Sequence, residues 1–225
     1  MGLFDDLRLR ILDKQHRMDS EKRKDTIENL SVPGLVISNK IIGAFNDNYL
    51  DKAPMTLRKL NRLILLVEVC FMQKYGKALI EEDYLNTKMG LITETLTSKQ
   101  HNLADNSYVI TDISSDITQE DAEEVLGISL NIEINDIVNF VLSRTAYIDS
   151  VDLAEISKIE KYITIPTSIC SVNLSPTKKK MLDEYVVPKD LIYQAYKNFD
   201  FSPLAELNEE SKKFWDQYNS KKNNI

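Results

Sequence analysis

The sequence predicts a mainly α fold: a compact helical domain around a central buried helix at about residues 56–75, with small β elements and helical extensions at both ends. Three observations carry this prediction. Glycine and proline number only six each in 225 residues, too few for the many tight turns of an all-β chain. Residues 55–79, MTLRKLNRLILLVEVCFMQKYGKAL, hold an almost unbroken apolar run in which Leu57, Leu60, Leu63, Ile64, Val67 and Phe71 recur at helical spacing. Ser175-Pro176 and Ser202-Pro203 each place a capping serine before a proline at the first helical position.

In chain order, residues 3–28 read as a highly charged helix with a thin apolar stripe of Leu3, Leu7, Ile11 and Met18. Ser31-Val32-Pro33-Gly34 breaks it. Leu35 to Leu50 is helical again, with Val36, Ile41 and Phe45 on one face. Thr56 is the expected N-cap of the central helix. Leu65, Leu66, Val69 and Cys70 make the middle of that helix apolar nearly all round, which places it at the centre of a bundle. Gly76 is the expected C-terminal stop.

Residues 77–90 read as extended or irregular, with Lys88 to Gly90 in a turn and Leu91 to Lys99 as a further helix. Ser107 to Asp112 reads as a strand. Thr118 with Asp121 forms a capping box for a short acidic helix ending at Gly127. Ile134 to Ala146 and Val151 to Glu160 form a helical pair around Asp149-Ser150. Ile163 and Ile165 alternate with Thr164 before Pro166, as in a short strand. Beyond Val187-Pro188, a helix covers Lys189 to Asn198. A last helix carries Phe214, Trp215 and Tyr218 before a polar tail.

Charge is unevenly spread over a net of -7. Residues 1–30 balance seven basic against seven acidic side chains, and residues 178–225 hold nine against eight. The excess falls in the middle. Residues 100–143 contain no Lys or Arg and nine carboxylates: Asp105, Asp112, Asp116, Glu120, Asp121, Glu123, Glu124, Glu133 and Asp136. Such a surface repels phosphate backbones and argues against nucleic acid as a partner. The most apolar run, Leu63 to Met72, is too short for a bilayer and carries Glu68 in its middle. No secretory signal is visible, Asp6 spoils a myristoylation motif, and a cytoplasmic protein is expected. Cys70 and Cys170 sit in apolar contexts without C-x-x-C spacing and read as buried thiols of a reducing compartment.

Catalytic signals are lacking. None of G-x-S-x-G, G-x-x-x-x-G-K-[ST], H-E-x-x-H or G-x-G-x-x-G occurs. His16 and His101 have no carboxylate or cysteine at ligand spacing and read as surface residues. Neither cofactor nor metal site is expected, and the chain reads as a non-enzyme.

The central helix and the residues after it carry a more specific signal. Thr56-Leu57-Arg58-Lys59-Leu60-Asn61-Arg62-Leu63-Ile64-Leu65 resembles the T-P-x-K-L-Q-K-L-L-Y helix start of the Panacea domain, the SocA-like, phage-associated family of toxin–antitoxin operons. Tyr75-Gly76-Lys77-Ala78-Leu79 stands where that family has Y-G-[RK]-P-L. Glu81-Glu82-Asp83-Tyr84 fits its D-E-D-F stretch, and Lys88-Met89-Gly90-Leu91-Ile92 fits its K-Y-G-P-V. Ile37-Ser38-Asn39-Lys40-Ile41-Ile42 looks like its V-A-N-Y-F-I. The match is good over residues 35–96 and loose to about residue 162. Four family positions are altered: Leu65, Thr87, Met89 and Leu91 replace tyrosine, tryptophan, tyrosine and proline.

The resemblance implies a Panacea-like domain over residues 31–166, flanked by a charged helical extension at 1–30 and a helical one at 167–225. It implies an antitoxin that neutralises a cognate toxin by direct contact in a heteromeric complex, up to a heterotetramer. The expected toxin is a translation inhibitor, alarmone-synthetase-like enzymes being among those the family meets. An AAA+ ClpXP-type protease is a further implied partner, to which a SocA-like member delivers its toxin. The motif positions carried over are Thr56, Lys59, Leu60, Arg62, Leu63, Tyr75, Gly76, Leu79, Lys88 and Gly90.

Two surfaces are candidates for the toxin. Asp116, Glu120, Asp121, Glu123 and Glu124 would dock a basic, nucleotide- or RNA-binding cleft. Against this, carboxylates at helix N-termini are often simply solvated. Phe199, Phe201, Trp215 and Tyr218 are the densest aromatic matter, as interface cores favour, although burial in the protein's own body is the commoner fate. Lys59 and Arg62 oppose the helix dipole at the helix start, which favours contact with a partner or with Glu81, Glu82 or Asp83. The alternative function is a phage-associated, metal-dependent hydrolase or nucleotide-handling enzyme holding its ion in the acidic window.

Overall fold

The computed structural model describes residues 32, 34–49, 54–87, 90–93, 128–156 and 185–222. Six helices and three short strands occur among them. In chain order these are α1 (Gly34–Tyr49), α2 (Leu57–Tyr75), β1 (Tyr84–Thr87), β2 (Gly90–Thr93), α3 (Ile128–Thr145), α4 (Ser150–Ile156), β3 (Tyr185–Val187), α5 (Lys189–Tyr196) and α6 (Ser202–Lys222). The architecture is mainly α with a small antiparallel sheet, as the sequence predicts.

α2 is the axis of the molecule. Fourteen of its 19 residues are buried, because α1, α3, α4, α5 and β2 all pack on it. Its ends are set locally. The Thr56 hydroxyl accepts from the Lys59 N–H at 3.1 Å, satisfying a donor the first turn leaves over. Gly76 takes φ 73°, a left-handed conformation that glycine adopts at no steric cost, and its N–H donates to Met72 O. No helix of the described residues is long and apolar enough to cross a membrane.

The sheet runs β2-β1-β3, both pairs antiparallel. Tyr84 stands opposite Thr93 on one side and Val187 on the other, and these three side chains with Leu91 turn inward. Strands of three and four residues are too short to persist alone and draw their stability from this packing. β2 overturns the expected helix from Leu91: a neighbouring strand edge satisfies its backbone and the core takes Leu91, overriding weak local preference. Gly90 pairs with Thr87 as the first residue of β2.

α1 matches the expected Leu35–Leu50 closely, with Val36, Ile41 and Phe45 buried. α3 begins at Ile128, earlier than Ile134, and ends at Thr145. The Asp149 carboxylate accepts from the N–H groups of Val151 and Asp152 and starts α4. α6 begins at Ser202, so Ser202 is its first helical residue, not its cap. The exposed Asp200 carboxylate accepts from the Ser202 N–H at 2.9 Å, and that bond lowers the Asp200 pKa. β3, α5 and the start of α6 share one core with α1–α4 through Val187, Ile192, Tyr196, Phe199, Phe201 and Leu204.

The charged helix at 3–28, the strands at 107–112 and 163–165, the acidic helix ending at Gly127 and the Ser175-Pro176 start lie outside the described residues, as do His16, His101 and Cys170. Cys70 is a half-buried free thiol whose pKa burial raises.

Candidate functional site

The described motif positions converge on α2 and the segment after it, and they form a frame. Leu60, Leu63 and Leu79 are fully buried. Lys59 and Arg62, at 1% exposure each, are core residues, so neither meets a partner. Lys59 Nζ crosses the interior to donate to Ala146 O at 2.5 Å and stands over the Phe45 ring, 5.3 Å from its centroid. Arg62 donates to Leu91 O at 3.2 Å and ties β2 to α2. Both of these bonds run to backbone carbonyls of other elements. Burial lowers the Lys59 pKa to about 7, against the opposing pull of the Asp149 charge.

Glu68 is the other ionisable group of the interior. One carboxyl oxygen, Oε2, accepts from the N–H groups of Leu79 and Ile80, both at 2.9 Å. Burial raises its pKa to about 7; the two backbone donors and the Lys189 charge oppose that rise, and Glu82 adds to it. The segment Glu68 holds is a junction. Val32 donates to Leu79 O and accepts from Glu81 N, a parallel bridge between the start of the domain and the end of the motif. Glu82 Oε2 accepts from Gly34 N at 2.7 Å, at the first turn of α1. Lys189 Nζ, at the start of α5, donates to Ile80 O and Glu81 O.

Tyr84 lies fully buried beside this junction. Its phenol is pushed well above the ordinary value by burial first, then by Glu68, Glu82 and Tyr196. The Tyr84 hydroxyl and Glu68 Oε1 find no hydrogen-bond partner among the described residues. With Glu68 and Tyr84 at 0% exposure, this cluster is closed to a substrate as it stands and serves to lock three segments together.

At the other end of α2, the Tyr75 ring packs on Phe71 at 4.6 Å between centroids. Its hydroxyl donates to Glu133 Oε2 at 2.6 Å, and Lys74 pairs with the same oxygen at 2.6 Å. Glu133, one of the acidic-window carboxylates, is thereby engaged inside the molecule. Asp116, Glu120, Asp121, Glu123, Glu124 and Lys88 lie outside the described residues. Among those described, no group of three or more His, Cys, Asp or Glu is placed to hold a metal ion.

The aromatic candidates divide. Phe199 and Phe201 are core residues at 7% exposure and are not available to a partner. They stack edge-on at 5.0 Å, and Tyr196 and Phe140 pack against them, because the α5–α6 turn folds back onto α3. Trp215 is half-buried, its indole N–H donating to Tyr147 O at 3.1 Å. Tyr218 and its neighbour Phe214 stay outside, at 52% and 61% exposure.

Two anchors escaped the sequence reading. Asn208 is 2% exposed, accepts from Tyr147 N and donates to Ser143 O, fastening α6 to the α3–α4 turn. Gln73 donates to Tyr196 O and Phe199 O, holding the end of α5. An amide on a polar-looking helix gives no signal that separates such an anchor from a solvated residue. No protein-family model matches the chain, and no curated protein or solved structure matches it either.

Proposed function

We propose that the chain is a Panacea-type antitoxin that neutralises a cognate toxin enzyme by direct protein–protein binding and is not itself a catalyst. The observation that carries this reading is the continuous register of the motif, from Thr56 through Tyr75-Gly76 and Glu81-Glu82-Asp83-Tyr84 to Leu91. The uses of those positions support it. Thr56 caps α2, Gly76 ends it, Leu79 docks on Glu68, Glu82 holds α1 and Arg62 holds β2. A motif whose members build one frame is what a scaffold shared by binders of different partners requires, with recognition left to other surfaces.

The toxin in this reading is a translation inhibitor, of alarmone-synthetase type among others, with a basic cleft for nucleotide or RNA. The carboxylates of residues 116–124 complement such a cleft, speeding encounter and excluding its substrate together. The complex is heteromeric, forms in the cytoplasm, and is a substrate for delivery to a ClpXP-type protease. Its test is growth rescue on co-expression with the product of the adjacent open reading frame. Reversal of Glu120, Asp121, Glu123 and Glu124 to lysine is expected to weaken toxin binding at least about tenfold at physiological salt. Unchanged binding removes the acidic window from the interface.

A further inference from the structure

From the distal half of α6 we infer a reversible homodimer, in which this helix pairs antiparallel with the same helix of a second copy. The first half of α6 is fastened to the body through Leu204 and Asn208. On either side of Trp215, which reaches Tyr147 O, its outer face carries large aromatic surface in water. Phe214 and Tyr218 stand four residues apart on that face and stack at 6.4 Å with an interplanar angle of 18°. Their exposures of 61% and 52% make them two of the five large hydrophobic side chains exposed among the described residues.

The charges on the same stripe say what covers it. Glu210 lies four residues before Phe214 and Lys221 three residues after Tyr218, so the four fall on one face in the order acid, ring, ring, base. Both charged residues are exposed. A two-fold axis near Asp216 sets Phe214 against Tyr218 of the second copy and Glu210 beside Lys221 of the second copy, twice over. Parallel pairing would set acid on acid and base on base. A partner of a single charge would leave one end of the stripe opposed by its own sign. A second copy run antiparallel satisfies both ends, the self-complementarity that a two-fold interface demands.

The two rings offer roughly 200 Å² of apolar surface per copy. Two copies together bury roughly 400 Å², about a third of the ~1,200 Å² of a stable interface, so the dimer is weak and reversible, with dissociation on the order of 100 μM. This inference concerns the chain alone and stands or falls independently of the antitoxin reading.

Sedimentation velocity on the full chain, from about 1 to about 300 μM, tests it. The expected result is a monomer that becomes a dimer across that range. Phe214→Glu with Tyr218→Glu keeps the chain monomeric throughout, with an unchanged far-ultraviolet dichroism spectrum. Glu210→Lys weakens the dimer about tenfold, and Glu210→Lys combined with Lys221→Glu restores it. A wild-type chain that stays monomeric at every concentration overturns the proposal, the face then belonging to another segment or to a toxin. So does a dimer that survives the aromatic substitutions, or a charge swap that fails to restore it.

Discussion

Glu68 and Lys59 bring two ionisable groups into the interior, and their burial shapes how stability responds to pH. For Glu68 the folded pKa of about 7 lies above its ordinary 4.5. Between these values the folded protein keeps a proton that the unfolded chain has released. Its contribution is therefore fully present below the lower value and is lost as pH rises through 7, on the order of 3 kcal/mol. Lys59 runs the other way, with a folded value of about 7 against 10.5. Its contribution is present above the higher value and is lost as pH falls through 7, on the order of 4 kcal/mol. Together they give a trough near neutrality. Urea unfolding from about pH 5 to about pH 9.5 is expected to show the acid limb vanish in Glu68→Gln and the alkaline limb vanish in Lys59→Met. Variants that track the wild type at every pH would contradict this assignment. The sequence flagged Lys59 as odd for its place at a helix start, but its acceptor lies 87 positions away and could not be read there.

At the scale of elements, what is local was legible and what is shared was not. The ends of α2 follow from Thr56 and Gly76, each acting on its own turn. Thr56→Ala and Gly76→Ala are each expected to cost about 1 kcal/mol, read as a lower urea midpoint with unchanged slope. At Gly76 an added Cβ meets nothing within 4 Å, so the cost there is conformational, and Gly76→Asn should recover part of it. β2 and β3 escaped because each depends on β1, and β3 lies about a hundred residues further along the chain. The union of α6 with the α3–α4 turn depends on Asn208 in the same way. Asn208→Ala strips the buried Tyr147 N–H of its acceptor, breaks the half-buried bond to Ser143 O, and is expected to cost about 2 kcal/mol. A loss below about 0.5 kcal/mol would mean that the packing of Leu204 and Trp215 suffices.

Over the whole molecule, one core joins α1 through α6, and the described residues that carry the Panacea resemblance lie inside it or at its joints. Lys59 and Arg62 tie elements together internally, and Phe199 and Phe201 fill the core. Aromatic density alone did not separate Phe201 from Tyr218, because only the fold-back of α6 on α3 decides which ring is enclosed. Neutralisation by binding is put to the test by co-expressing this chain with the product of the adjacent open reading frame, followed by growth and co-purification. The neighbour alone is expected to arrest growth, this chain to restore it, and the two to elute as one complex of fixed ratio. Arrest that persists with this chain present and folded, or rescue without a complex, would contradict it.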